Sequence, residues 1–179
     1  MKNLEVKIAA TAILAVALLL PSGLVGAAEH THLKARLKSL KEIPTNVTNG
    51  TGTFSATVVD DTTITYTLSY SNLSTPVVQS HIHVGATKTN GSVAIFLCGP
   101  AGSPAHAVCP NDSTNSGTVS GTVAAADVII NGQGIKPGEF AKVLRAIANG
   151  DTYVNVHTML LPGGEIRGQV AAGEDEDDE

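Results

Sequence analysis

The sequence predicts an all-β protein, an antiparallel sandwich or Greek-key barrel with one short helix near 137–148. Three observations carry this. Apolar and polar residues alternate with a period of two through most of the chain after residue 30. The alternating runs are short and end in clusters of Gly, Pro, Asn, Asp or Ser. One segment changes to the period of a helix.

The elements follow in order. Leu33, Ala35 and Leu37 alternate with Lys34, Arg36 and Lys38, the pattern of a half-buried strand. Phe54, Ala56 and Val58 alternate with Thr53, Ser55 and Thr57, and Ile64, Tyr66, Leu68 and Tyr70 alternate with Thr63, Thr65, Thr67 and Ser69. Asp60-Asp61 between these two runs predicts a hairpin. The run 78–84 puts Val78, Ile82 and Val84 on one face and Gln79, His81 and His83 on the other. Val93, Ile95 and Leu97 form the next apolar face, and a Gly-, Pro-, Ser- and Asn-rich loop spans 99–117. Strands are expected again at 118–123 and 127–130. Phe140, Val143, Leu144 and Ile147 recur at i, i+3, i+4 and i+7, with Pro137 as a first-turn residue and Asn149-Gly150 as the stop. In the last two strands Val154 and Val156 alternate with Tyr153, Asn155 and His157, and Ile166 and Val170 oppose Glu165, Arg167 and Gln169. Pro162-Gly163-Gly164 makes the turn between them.

Composition bounds the function. Of 179 residues, 42% are hydrophobic, 15% charged and 3% aromatic, with no Trp, so the core is built from Val, Ile, Leu and Ala. The net charge of -5 argues against a nucleic-acid partner. The charge is concentrated: residues 174–179 are all acidic, while 28–173 hold nine basic and nine acidic residues. The end reads as a disordered acidic tail, because like charges repel and bury nothing.

Residues 1–27 read as a secretory signal. Lys2 and Lys7 precede the apolar run 8–20, Pro21-Ser22 break it, and small residues follow, with cleavage expected after Ala27 or Ala28. The run is short for a membrane span, so no transmembrane segment is expected after cleavage. The predicted location is secreted, periplasmic or at the cell surface. There an oxidising environment would join Cys98 and Cys109, the only two cysteines; the competing reading is a metal-binding pair. Glycosylation sequons start at Asn46, Asn49, Asn72, Asn90 and Asn111.

The histidines are the candidate chemistry. His81 and His83 project from one face of a strand with Cα atoms about 6–7 Å apart. His157 lies on the polar face of another strand. If the two strands are neighbours, three imidazoles converge on a site suited to copper, zinc, nickel or iron. The alternative is a set of hydrogen-bonded surface histidines. Processing after Ala27 would place His30 third from a free amine, a square-planar copper motif; processing after Ala28 leaves His30 second and His32 fourth. Glu165 and Arg167 share a strand face, either as a surface charge pair or as an arginine that guides an anion towards the histidines. No nucleophile elbow, phosphate loop or zinc-protease helix is present in the sequence.

Three stretches together resemble the CHRD family, named for the repeats in chordin: Leu40-Lys41-Glu42-Ile43-Pro44, Ser80-His81-Ile82-His83-Val84-Gly85, and Tyr153-Val154-Asn155-Val156-His157-Thr158 running through Pro162-Gly163-Gly164-Glu165-Ile166-Arg167-Gly168-Gln169. The resemblance covers residues 31–171. Thr45 departs from it, since the family usually has a second Pro there, and the Cys98–Cys109 loop looks like a local elaboration. The resemblance implies an immunoglobulin-like β-barrel, distantly similar to copper–zinc superoxide dismutases. With it goes the expectation of a non-catalytic extracellular binding or structural module, whose partner, an extracellular protein or matrix component, the resemblance does not identify. The likeness to dismutases implies, as the alternative, a mononuclear copper site at His81, His83 and His157, with Arg167 guiding superoxide. A zinc loop is missing, because residues 99–117 offer only His106 and Asp112.

Overall fold

The structure is a computed structural model that describes residues 31–105, 107–129 and 132–173. The expected signal sequence and cleavage site, His30, His106 and the acidic residues 174–179 lie outside the described residues. Nine strands, β1 (Thr31–Lys38), β2 (Thr51–Asp60), β3 (Thr63–Ser71), β4 (Val77–Val84), β5 (Ser92–Cys98), β6 (Gly117–Ala124), β7 (Thr152–Thr158), β8 (Ile166–Gln169) and β9 (Ala171–Gly173), are joined with one helix, α1 (Phe140–Ala148). All pairings are antiparallel, in the order β5-β4-β7-β8-β1-β2-β3-β6, with β9 beside β1.

The sheet curls into a nearly closed barrel because the strands from β1 to β8 bury apolar residues inside it. Leu33, Ala35 and Leu37 of β1 pack with Phe54 and Ala56 of β2, Ile64, Tyr66 and Leu68 of β3, and Val154, Val156 and Ile166. Where the outer strands β5 and β6 approach, the Tyr66 hydroxyl donates to the Leu97 carbonyl at 2.5 Å across the interior. Gly121 makes this reach available: a Cβ there would lie 2.9 Å from the Tyr66 hydroxyl oxygen. The Cys98–Cys109 disulfide forms and ties the loop after β5 to the end of that strand. No helix among the described residues is long and apolar enough to cross a membrane.

The expected β2–β3 hairpin forms, with a bulge between Val58 and Asp60. Other expectations need correction. A second bulge, between Val77 and Gln79, shifts the start of β4, so Val77 and not Val78 enters the core beside Ile82. The strand expected at 127–130 is absent among its described residues: 125–127 form a 3-10 turn, and Val128 packs into the core without pairing as a strand. The helix starts at Phe140 and not at Pro137, because Gly138 takes a left-handed φ of 82° that interrupts any earlier turn. Its stop stands as expected, with Gly150 at φ 75°.

Candidate metal centre

β4 and β7 are direct neighbours, and their register decides the site. His81 faces Asn155, His83 faces Tyr153 and Gln79 faces His157. Since alternate residues share a face, His81, His83, Tyr153, Asn155 and His157 form one patch on the side of the sheet away from the barrel interior. On the other side of β7, Asn155 faces Arg167 of β8 and Tyr153 faces Gln169.

That polar face is covered, which the alternation alone did not predict. Every residue of β7 is buried, and His81, His83 and His157 are only 2%, 7% and 6% exposed. The segment that follows β1 packs beside this face, against Asn155 and the turn before β8. Asn46 donates to the carbonyls of Gly164 and Glu165, and the Asn90 amide donates to the Ile43 carbonyl. Glu42 is thereby carried down to 3% exposure beside Asn155. The ring of Phe96 sits edge-on to His81 with centroids 4.3 Å apart.

The proton positions follow from the acceptors. His157 Nδ1 is 2.9 Å from the Pro162 carbonyl, which can only accept, so Nδ1 carries the proton and Nε2 is a lone pair. His81 Nδ1 lies 3.1 Å from that lone pair and donates to it. His83 Nδ1 donates in the same way to the Gly91 carbonyl at 2.9 Å. Each neutral ring is left with an Nε2 lone pair; those of His81 and His83 are buried without a well-formed hydrogen bond, the Asn155 side chain lying close to His83. One ligand atom from each of the three histidines falls within 4.8 Å of the others.

Burial keeps these rings neutral. It pushes the His81 pKa down to about 2, helped by the nearby His157 and His83, and the His83 pKa down to about 4, against the pull of its bond to Gly91. His157 is lowered for the same reason. Neutral imidazole is the form that binds metal.

A model of the CHRD domain family matches residues 33–170, most of the chain. The chain belongs to the CHRD domain family. No curated protein and no solved structure matches it. The three stretches through which the sequence resembles CHRD domains meet at this face: Glu42 from the first, His81 and His83 from the second, Asn155, His157 and Arg167 from the third.

The remaining candidates fall elsewhere. Glu165 and Arg167 of the CHRD domain are not a charge pair, because their groups are committed to different partners. The fully buried Glu165 carboxylate accepts from the Ser74 amide at 2.9 Å, the Ser74 hydroxyl at 2.6 Å and the Thr158 hydroxyl at 2.8 Å. Arg167 lies over the Tyr153 ring, 3.3 Å from its centroid, and donates to the carbonyl of Thr89 at 2.7 Å, with longer contacts to the Ala86 carbonyl and the Asn90 side chain. Tyr153 stacks in turn on His83, with centroids 4.6 Å apart. Arg167 therefore clamps the β4–β5 loop and backs the His83 ring, an arrangement that does not leave it free to steer anions. His32 stands in β1 with Nδ1 3.2 Å from the Thr57 hydroxyl, held in the sheet as part of a strand.

Two residues escaped the sequence reading as candidates, Asn155 and Glu42. Asn155 carried a signal, since it lies between Tyr153 and His157 on the same strand face. Glu42 carried none beyond its place in the Leu40–Pro44 stretch that resembles the family.

Proposed function

We propose that this chain is an exported, non-catalytic CHRD-domain module that holds one transition-metal ion, copper first among them, through His81, His83 and His157. One observation carries the reading: the buried Nε2 lone pairs of His81 and His83 lack a well-formed hydrogen bond. Leaving a buried polar atom unsatisfied costs about 1–3 kcal/mol, so two in one place call for a ligand. Two of the rings also donate Nδ1–H to backbone carbonyls, the outer contact that fixes the tautomer and orientation of metal-binding histidines. Imidazole nitrogens suit copper and zinc, and copper(II) is the tighter binder of the two at a given site.

The burial of all three rings favours a held ion over a reacting one, since a catalytic metal keeps an open position that substrate can reach. The commitment of Arg167 to Tyr153 and backbone carbonyls removes support for a dismutase-like role. The signal-like leader and the disulfide support export to an oxidising compartment.

Calorimetric titration of the metal-free protein with Cu(II) and with Zn(II) tests the reading. The expected result is one tight site common to both ions, lost in His83→Ala. A copper site confined to the amino terminus would survive that substitution and would not take Zn(II) equally. Absence of a shared site overturns the proposal.

A further inference from the structure

The ligand set does not end with the three histidines. His157 Nε2 is a lone pair, and the one proton it can accept comes from His81 Nδ1 at 3.1 Å. Yet Asn155 Oδ1 lies 3.0 Å from the same nitrogen. An amide oxygen and a bare imidazole nitrogen are both acceptors, so no proton is left to join them and the contact is repulsive as it stands.

Reversal of the amide would bring its nitrogen to His157, but Glu42 opposes it. The Asn155 nitrogen and the Glu42 carboxylate occupy one cradle against Gly164. A Cβ on Gly164 would lie 3.0 Å from Asn155 Nδ2 and would run into Glu42 Oε1. Glu42 Oε2 accepts from the Ile43 amide at 3.1 Å. Oε1 has no full hydrogen bond and shares that cradle with the amide nitrogen. With the amide reversed, its oxygen would point at a carboxylate oxygen, exchanging one repulsion for a stronger one.

Two ligand atoms bound to one ion at about 2.0–2.2 Å, near right or tetrahedral angles, sit about 3.0–3.5 Å apart. The separation of Asn155 Oδ1 from His157 Nε2, 3.0 Å, has that value. We propose that Asn155 Oδ1 is the fourth ligand of the metal, and that Glu42 is a positioning residue that holds the amide with its oxygen towards the histidines. This rests on the three-histidine reading above and completes it as three nitrogens and one oxygen. A carbonyl oxygen is a hard donor, so the set selects a divalent ion, copper(II) or zinc(II), over copper(I). The Glu42 carboxylate supplies a negative charge just outside a neutral ligand set.

The test is a Co(II) titration of the metal-free full-length protein, followed by its visible absorption, alongside Asn155→Leu, Asn155→Asp and Glu42→Gln. Circular dichroism confirms the fold of each variant. Wild type should bind one Co(II). Asn155→Leu should weaken binding by about tenfold or more and shift the visible bands, since an oxygen donor is lost. Asn155→Asp, with a carboxylate oxygen in the same place, should bind at least as tightly as wild type. Glu42→Gln should weaken binding by about tenfold, within the range seen for outer-sphere partners. Wild-type affinity and an unchanged spectrum in Asn155→Leu would overturn the fourth ligand while the three-histidine site stands. Should Asn155→Leu fail to fold, weaker binding by Asn155→Asp than by wild type would overturn it instead. Unchanged affinity in Glu42→Gln would overturn the positioning role. No binding by wild type would remove the histidine site itself, an outcome distinct from the others.

Discussion

Acid should unfold the metal-free protein through its histidines, and the size of the effect follows from the site. In the unfolded chain His81 and His83 titrate near 6.5, whereas burial moves them to about 2 and about 4 in the fold. A lowered native pKa means that the unfolded state binds more protons, so stability rises with pH. The histidine contribution is fully present above about pH 6.5 and is lost as pH falls towards the native values. At pH 5 each unfolded histidine gains about 2 kcal/mol from protonation that the native ring does not share, so these two remove about 4 kcal/mol relative to neutral pH. His157, lowered in the same direction, adds to the loss. Glu42 works the other way: its pKa is raised, chiefly by burial, so its contribution is present at low pH and lost as pH rises through the native value. Against a typical domain stability of about 5–15 kcal/mol, the histidine loss is large. The assay is urea denaturation with chelator present, from pH 7.5 to 5, for wild type, His83→Gln and Glu42→Gln. His83→Gln should flatten the slope by about one proton, and Glu42→Gln should steepen it. Equal stability at pH 7 and pH 5, or the same slope in His83→Gln, would refute the claim that these rings are buried and neutral.

Three other outcomes are expected. Replacing Cys98 and Cys109 together by Ser should lower stability by about 3 kcal/mol, from the entropy of a loop of this size, and unfolding free energies from urea denaturation, with m fitted for each protein, would register it. Tyr66→Phe should cost about 1–2 kcal/mol, because the Leu97 carbonyl loses a buried donor where the barrel nearly closes; thermal unfolding of the two proteins measures this. Gly164→Ala should cost about 2 kcal/mol or more, since φ is 124° and the new methyl would collide with the Glu42 carboxylate, and it should weaken metal binding where Tyr66→Phe does not.

Much of the barrel was legible because one physical rule wrote it. Alternation records which face of a strand is apolar, and for β1, β2, β3 and β6 the other face is Lys-, Thr- or Ser-rich and open to water. The rule weakened at Val78, where a bulge shifted the phase, and at 127–130, where a short apolar run was as compatible with a turn as with a strand. For the site, alternation placed His81 with His83 and His157 with Asn155, but only the β4–β7 register brings the pairs together. Register is a long-range property: seventy-odd residues separate the partners, and no local pattern encodes it. The same limit hid Glu42, which arrives from a loop, and separated Glu165 from Arg167, which strand spacing had joined.

The cost of the polar face is itself an argument for its use. An apolar patch of equal volume on β4, β7 and β8 would pack beside the 42–46 segment without desolvating a carboxylate, a guanidinium and three imidazoles. The chain spends further contacts to keep these groups in place: Asn46 and Asn90 pin that segment, Tyr153 and Arg167 brace His83, and Pro162 and Gly91 fix two tautomers. Buried polar networks that serve only the fold are satisfied throughout, because any unpaired member is a net loss. Here the unpaired atoms are His81 Nε2, His83 Nε2 and Glu42 Oε1, all at one site, with Thr152 Oγ1 the remaining case among the described residues. The bracing ends where the lone pairs begin, which is the arrangement expected when the missing partner is a cation that the fold was built to receive.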